Sequence, residues 1–297
     1  MSQPEKFRAG HAAIVGRPNV GKSTLLNRFI GQKISITSRK PQTTRHRVCG
    51  IVTTPRAQCA FVDTPGFQTG GANALRSMMN RSVTRALAEV DVVVFVVSVA
   101  RFTPDDERVA ELLPKAVPLL IAANKVDRLA ERSQLLPYIE ALQRRLAPRA
   151  IVPVSAQTGY QVDALLHEIE TQLPLKPPLY PPEQLTDRDE RFFAAEFIRE
   201  KVFRHLGDEL PYATAVSIER FDDSGKLRRI HATIHVDKPS HKAIVIGEGG
   251  ERLKIIASSA RKDMEALFGG KVFLQVWVKV RRGWADDAAQ LRRFGYE

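Results

Sequence analysis

A glycine-rich run near the N-terminus has the residue types and spacing of a phosphate-binding loop. Gly16–Ser23 reads GRPNVGKS, a match to G-x-x-x-x-G-K-[ST] between a predicted strand and a predicted helix. Backbone N–H groups of such a loop surround phosphate oxygens, the lysine reaches the terminal phosphates and the serine hydroxyl binds Mg²⁺. A plain glycine turn between strand and helix is the alternative. The predicted contacts are Gly16, Asn19, Val20, Gly21, Lys22, Ser23 and Thr24.

Two later segments carry groups that can read a base. Asn124, Lys125 and Asp127 form NKVD directly after an apolar run. An Asp carboxylate accepts from guanine N1–H and the 2-amino group, donors that adenine does not present in that arrangement, and an Asn amide can bond the N7 and O6 side. Backbone N–H groups near Ser155 and Ala156 can donate to guanine O6. The pattern favours guanine, whereas NKVD alone would also suit a solvated polar loop.

A third motif and the segment before it predict the magnesium site. Asp63–Gly66 reads DTPG, where Asp63 can hold Mg²⁺ through water and the Gly66 N–H can sense a γ-phosphate. The polar segment Ser38–Arg47 offers Thr43 or Thr44 as a further hydroxyl ligand. We assign the metal to Ser23, Thr44 and Asp63, and the catalytic contacts to Lys22, Thr44 and Gly66.

The elements that must position these motifs are short apolar runs that alternate with longer amphipathic stretches. Continuous β-branched runs suit strands buried on both faces of a mostly parallel sheet, so the first part is predicted to be an α/β domain. The candidate strands are His11–Val15, Gln58–Val62, Val90–Val99, Val117–Ala122 and Ile151–Val154.

Five prolines within residues 174–186 predict a linker between two domains, residues 1–173 and 187–297. The second part begins with a helix over about residues 189–206 and continues with two strands. A glycine-rich turn at Gly247, helical sequence to Leu267 and a final alternating strand complete the order α-β-β-α-α-β.

Five of the segments above, taken in chain order, resemble the core of translation-factor-type GTPases: Gly16–Ser23, Ser38–Arg47, Asp63–Gly66, Asn124–Asp127 and Ser155–Ala156. Residues 8–296 as a whole resemble the Era family of bacterial ribosome-assembly GTPases. Val245–Lys254 reads VIGEGGERLK and resembles the GxxG segment of a type II KH domain, so we expect an α/β P-loop GTPase domain followed by an α+β KH domain. A tight turn before a solvated basic helix is the alternative for this segment. The implied RNA contacts are Ile246, Gly247, Glu248, Gly249, Gly250, Arg252 and Lys254.

The resemblance implies a GTPase that cycles between GTP and GDP with Mg²⁺ and acts in 30S subunit assembly. The lack of a water-orienting Gln after Gly66 predicts slow intrinsic turnover. The expected partners are the 30S subunit and 16S rRNA near the 3′ end. Phe67 stands where Ras-type GTPases carry a Gln that orients water, and in related GTPases with this replacement an Asn at the position of Asn19 binds K⁺. Asn19 therefore either binds K⁺ in this chain or hydrogen-bonds the loop.

The composition of the chain excludes some classes of protein and favours others. The chain has 297 residues, a formal net charge of +12 and two cysteines, which excludes a disulfide framework and favours a polyanionic partner. Without an apolar leader it is expected to be cytoplasmic. It is also expected to be monomeric, and peripheral contact with the inner membrane is a further expectation. The two alternatives are an RNA-binding module that binds GTP without hydrolysing it and a membrane-associated signalling GTPase.

Overall fold

The computed structural model describes residues 7–38, 45–64, 74–99, 101–129, 131–207 and 210–295. The chain divides into two compact units. The first unit comprises Met1–Ser35, Thr44–Gly71 and Met79–Asp187, and the second comprises Ile36–Thr43, Ala72–Met78 and Arg188–Glu297.

The first unit contains a six-stranded sheet with helices connecting its strands. Strand order is β2-β3-β1-β4-β5-β6, and β2 is antiparallel to β3 while the other neighbouring strands are parallel. The strands are β1 (Arg8–Val15), β2 (Val48–Thr53), β3 (Ala57–Asp63), β4 (Val92–Ser98), β5 (Leu119–Asn124) and β6 (Ala150–Val154). The helices are α1 (Lys22–Ile30), α2 (Ala74–Ala88), α3 (Pro104–Glu111), α4 (Leu135–Leu146) and α5 (Val162–Gln172), and the first residues of α2 group with the second unit.

Burial explains why the central strands are read so clearly from the sequence. All seven residues of β4, VVVFVVS, are buried, because helices cover both faces of a parallel sheet. The predicted α/β class and its five candidate strands are confirmed, with boundaries that differ by up to three residues. Strand β2 was not predicted, since Gly50 interrupts its apolar run.

The proline-rich segment follows the surface of the first unit instead of standing apart from it. The buried side chain of Gln58 accepts from the backbone N–H groups of Leu179 and Tyr180, at 2.7 and 2.8 Å. Farther along, the N–H of Ile51 donates to the carbonyl of Leu185 at 2.8 Å. The segment predicted to be a linker is thus hydrogen-bonded to β2 and β3, because prolines still leave enough neighbouring N–H groups to pair.

The second unit has a three-stranded sheet in the order β7-β8-β9, with β7 antiparallel and β9 parallel to β8. Its elements confirm the predicted order α-β-β-α-α-β, and a short final helix was not predicted. They are α6 (Glu190–His205), β7 (Thr214–Asp222), β8 (Leu227–Val236), α7 (Pro239–Ile246), α8 (Glu251–Phe268), β9 (Lys271–Val280) and α9 (Ala288–Arg293). Across the described parts of both units, no helix is long and apolar enough to span a bilayer.

Candidate functional site

The phosphate loop joins β1 to α1 and is shaped by a buried lysine. Lys22 is 6% exposed, and its Nζ donates to the carbonyls of Gly16 and Arg17 at 2.8 and 2.9 Å. Burial lowers the pKa of this ammonium to about 8, an effect that the nearby Asp63 carboxylate partly offsets. The ammonium is therefore held at the centre of the loop, where phosphate oxygens would restore its lost hydration.

The sequence prediction placed the helix start near Thr24, but α1 begins at Lys22. Its N-cap is Gly21 at φ 106°, and a Cβ there would lie 2.3 Å from Nδ2 of Asn124. Only glycine fits both this backbone conformation and this close approach. Half-buried Ser23 and Thr24 therefore lie in the first turn of α1, with backbone N–H groups that no earlier turn of the helix can bond.

Asn124, at the end of β5, connects the phosphate loop to the segment after β6. Its Nδ2 donates to the carbonyl of Val20 at 2.7 Å, and its Oδ1 accepts from the N–H of Ala156 at 3.0 Å. Next to it, Lys125 lies across the loop and donates from Nζ to the carbonyl of Asn19 at 2.5 Å. Asn124 and Lys125 of the predicted base-reading motif thus hold the phosphate loop in place.

Ser155 and Ala156 make hydrogen bonds within the chain, and their contact with guanine O6 stays a prediction. We expected their backbone N–H groups to face guanine O6, but Ser155 N–H donates to the carbonyl of Tyr160 and Ala156 N–H to Asn124. The amide of Asn124, expected at the N7 and O6 side, is occupied as well. Buried polar groups form hydrogen bonds with the groups nearest to them, and for these three residues the nearest groups belong to the chain itself.

Asp127 remains free to read the base. Its carboxylate is exposed, and Oδ1 accepts a 2.6 Å hydrogen bond from the hydroxyl of buried Ser155. Oδ2 has no hydrogen-bond partner among the described residues. Ser155 therefore orients the carboxylate, a role that the sequence did not reveal.

The predicted metal ligands Ser23 and Asp63 meet at the end of β3. The hydroxyls of Ser23 and Ser35 each donate to Oδ2 of Asp63 at 2.8 Å. Burial raises the pKa of the Asp63 carboxyl, while Lys22 and the two hydroxyls act in the opposite direction. Oδ1 of Asp63 is buried and makes no hydrogen bond with the described part of the chain, so this oxygen-only donor set fits Mg²⁺. The remaining ligand, Thr44, and the γ-phosphate sensor, Gly66, lie outside the described residues.

Sequence reasoning missed the residues that hold the loops around this site. Asn27 of α1 accepts through Oδ1 from the backbone N–H groups of Ile34 and Ser35, which fixes Ser35 against Asp63. On the other side of the loop, Nε of Arg17 donates to Oδ2 of fully buried Asp106 at 3.0 Å. Neither set of hydrogen bonds has a sequence signature. Arg17 and Asp106 are distant in the chain, and Ile34 and Ser35 lie in an irregular loop after α1.

In the second unit, the predicted RNA loop lies between α7 and α8. Gly249 and Gly250 have φ angles of 55° and 82°, and the N–H of Gly250 donates to the carbonyl of Gly247. Nη1 of Arg252 donates to the carbonyl of Ile244 at 2.7 Å and fastens α8 to the end of α7. This exposed glycine turn at a helix N-terminus can approach a phosphate backbone closely.

The surroundings of this loop suit a nucleic-acid backbone with bases beside it. Ile244 and Ile255 are 44% and 50% exposed on the helices that flank the loop, an apolar pair that was not predicted. Half-buried Ile246 precedes the loop, and Glu248 within it is exposed. The exposed cations near it are Lys238, Lys242, Arg252, Lys254 and Lys262.

Two protein families match successive parts of this chain. Residues 11–125 match the family described as 50S ribosome-binding GTPase, and residues 209–285 match the KH domain family. GTPase Era of Nitrosomonas eutropha is 52% identical over 291 residues, and that of Chromobacterium violaceum is 53% identical, each alignment covering 98% of both chains.

Two solved structures share the whole fold at a TM-score of 0.94 and cover 98% of this chain and 99% of theirs. One is a single-site variant of Aquifex aeolicus Era bound to GDP.AlF4-, which is 36% identical. The other is Era in complex with MgGDPNP and nucleotides 1506–1542 of 16S ribosomal RNA, which is 37% identical. Full-length identity of this size, together with the phosphate loop and the GxxG turn, shows that the chain belongs to the Era family of GTPases.

Proposed function

We propose that this chain is a GTP-hydrolysing switch that binds small-subunit ribosomal RNA near its 3′ end and acts in 30S assembly. The observation that carries the proposal is the meeting of Lys22, Ser23 and Asp63 at the sheet edge in a chain that also has a GxxG loop. The relative bound to MgGDPNP and 16S nucleotides 1506–1542 supports both ligands. The GTPase family description names the 50S subunit, but that match covers the nucleotide-binding part alone.

Each residue of the nucleotide site has a separate role in this proposal. Lys22 neutralises charge on the transferring phosphoryl group, and Asp127, oriented by Ser155, selects guanine. Ser23 directly, and Asp63 through water, would hold Mg²⁺, which would neutralise charge on the phosphates of the nucleotide. Thr44 and Gly66 stay predictions as the further metal ligand and the γ-phosphate sensor, and a side chain that activates water is absent from position 67.

Phosphate release from GTP tests the proposal against its closest alternative. The full chain with Mg²⁺ should release phosphate slowly, and more rapidly with an RNA that carries the small-subunit 3′ sequence. A chain that binds GTP and RNA but releases no phosphate under either condition would be a non-hydrolysing RNA-binding module. Membrane contact and a monomeric state remain further proposals, which flotation with acidic vesicles and sedimentation test.

Potassium is expected to stimulate hydrolysis through Asn19. The phosphate loop holds Asn19 at φ 63°, with its carbonyl fastened by Lys125. A weakly hydrated K⁺ spans phosphate oxygens in a way that the smaller Na⁺ does not. Phosphate release measured in the two salts at equal ionic strength should be several-fold faster in K⁺.

Asn19→Ala should remove this difference and leave GDP affinity nearly unchanged. Asn19→Gly is the matched control, because glycine removes the side chain without the strain that alanine meets at positive φ. If both variants keep the potassium response, Asn19 only hydrogen-bonds the loop.

We also propose that the nucleotide state reaches the KH unit through the segment after Ser35. The hydroxyl of Ser35 bonds Asp63, and the chain from Ile36 onward groups with the second unit. There the N–H of Thr37 donates to Oε1 of Glu200 on α6 at 3.0 Å. Arg204 bonds both the Thr37 carbonyl and Glu200. A change at Asp63 thus has a route of a few residues to α6.

Glu200→Gln should uncouple RNA binding from the nucleotide. Glu200 is fully buried, and a neutral amide keeps its shape while weakening its bonds to Thr37 and Arg204. The ratio of RNA affinities with a GTP analogue and with GDP should fall from about fivefold or more to near one.

Glu196→Gln is the matched control, since Glu196 lies one turn earlier on α6 and pairs with Arg199. Nucleotide affinity should not change in either variant. An affinity ratio in Glu200→Gln equal to that of the unmodified chain contradicts this route.

A further inference from the structure

The sheet of the second unit exposes two aromatic rings on the face away from its long helices. Along β9, Val272 and Val278 are buried, whereas Phe273 and Trp277 point the other way and are 44% and 40% exposed. A contiguous exposed apolar patch with polar residues around it is typical of a binding surface. We call this surface the outer face and define it by Leu227, Arg229, His231, Lys271, Phe273 and Trp277.

Neighbouring strands surround the two rings with cationic and apolar side chains. The parallel register places Arg229 beside Phe273, and the ring of His231 meets Trp277 edge-on at 5.4 Å between centroids. At one end of the sheet α9 covers this side, because Phe294 packs on His235 at 4.7 Å between centroids. The outer face is the part of this side of the sheet that α9 does not cover.

The chemistry of the outer face fits unpaired RNA bases. Exposed aromatic rings flanked by arginine and lysine bind single strands by stacking bases and pairing phosphates. Phe273 and Trp277 are four residues apart on one strand, about 13 Å, so each ring has room for a base of its own. Arg229 and Lys271 are exposed beside them. Of the acidic neighbours, Asp222 is paired with Arg220 at 3.0 Å, and Glu219 accepts a 2.7 Å hydrogen bond from the hydroxyl of Ser217.

We propose that the outer face is a second RNA-binding surface, which stacks bases of the strand whose backbone the GxxG loop holds. The inference rests on the proposed RNA-binding function. A KH loop clamps about four nucleotides, yet the RNA bound to the solved Era relative spans 37 nucleotides. Within the described residues strand β9 is an edge of its sheet and pairs with β8 alone, so an RNA strand leaving the loop side can pass this edge onto the outer face.

Tryptophan fluorescence of the full chain tests this surface directly. Trp277 and Trp284 are the two tryptophans, and Trp284 is fully buried, so quenching by RNA reports on Trp277. The probes are the 16S segment 1506–1542 and a single-stranded oligonucleotide of about six nucleotides with the sequence of its 3′ end. The long RNA should quench Trp277 strongly, and the short one should not.

Affinity measurements on variants supply the second readout. Phe273→Thr and Trp277→Thr keep a residue with good strand propensity and should each weaken the long RNA about tenfold. Binding of the short RNA should not change. Phe273→Tyr and Trp277→Phe keep a stacking ring and should retain long-RNA affinity. Leu136→Thr, at a 64% exposed leucine of the first unit, is the control for lost apolar surface.

Each other result counts against the outer face. Equal long-RNA affinity in all variants overturns the inference but leaves the proposed function intact if the short RNA still binds. Equal loss of both RNAs in a threonine variant would mean that it damages the GxxG side or the fold, which also overturns the inference. Unchanged RNA binding with lost flotation on acidic vesicles would assign the surface to a membrane. If the unmodified chain binds neither RNA, the proposed function fails as well.

Discussion

Asp127→Asn is expected to convert the chain from a guanine-nucleotide to a xanthine-nucleotide protein. The exposed carboxylate should accept from guanine N1–H and the 2-amino group, two charge-assisted hydrogen bonds. An amide loses one of these and presents a donor to the 2-amino group, so GTP affinity should fall about 10²- to 10⁴-fold. Xanthine carries a carbonyl at that position, which the new amide donor matches, so XTP affinity should rise. Competition of GTP and XTP against a fluorescent nucleotide measures both changes.

Ser155→Ala provides the matched control for this switch. It removes the 2.6 Å hydrogen bond that orients Asp127 but keeps the carboxylate. GTP affinity should fall by about tenfold, the value of one charge-assisted hydrogen bond, with no gain for XTP. If Asp127→Asn loses GTP and XTP equally while its circular dichroism and melting temperature stay unchanged, the assignment of Asp127 to the base is wrong.

Gly249→Asp should abolish single-stranded RNA binding, with a loss of about a hundredfold or more. A new carboxylate in the loop opposes the phosphate backbone, and like charges in contact cost several kcal/mol. GTP affinity should be unaffected, because the nucleotide-binding residues belong to the other unit. Filter binding or anisotropy at matched salt, with an RNA that carries the small-subunit 3′ sequence, checks the result.

Gly249→Asn separates charge from backbone conformation. Gly249 has φ 55°, which Asn tolerates about as well as Asp, and an added Cβ would meet no atom within 4 Å. The Asn variant should therefore keep much more RNA affinity than the Asp variant. Undiminished affinity in Gly249→Asp would rule out phosphate binding at the GxxG loop.

The fold and the chemistry of the first unit were predictable because they rest on local patterns. A strand buried on both faces must be apolar throughout, which is why β4 stands out in the sequence. The phosphate loop is equally visible, since its glycines and Lys22 are neighbours in the chain. Strand β2 was not visible, because a Cβ on Gly50 would come within 3 Å of side chains from α1 and the following loop, so a glycine interrupts the strand pattern.

The sequence by itself determined which residues carry chemistry, namely Lys22, Ser23, Asp63, Asp127 and the GxxG loop, since contiguous motifs are local. Only the tertiary structure decided which other side chains position these residues. The hydroxyl of Ser155 orients Asp127 from 28 positions away, and the hydroxyl of Ser35, in the loop between α1 and β2, donates to Asp63. Side chains that satisfy buried polar groups are chosen by proximity in space, and one sequence without its fold does not record that proximity.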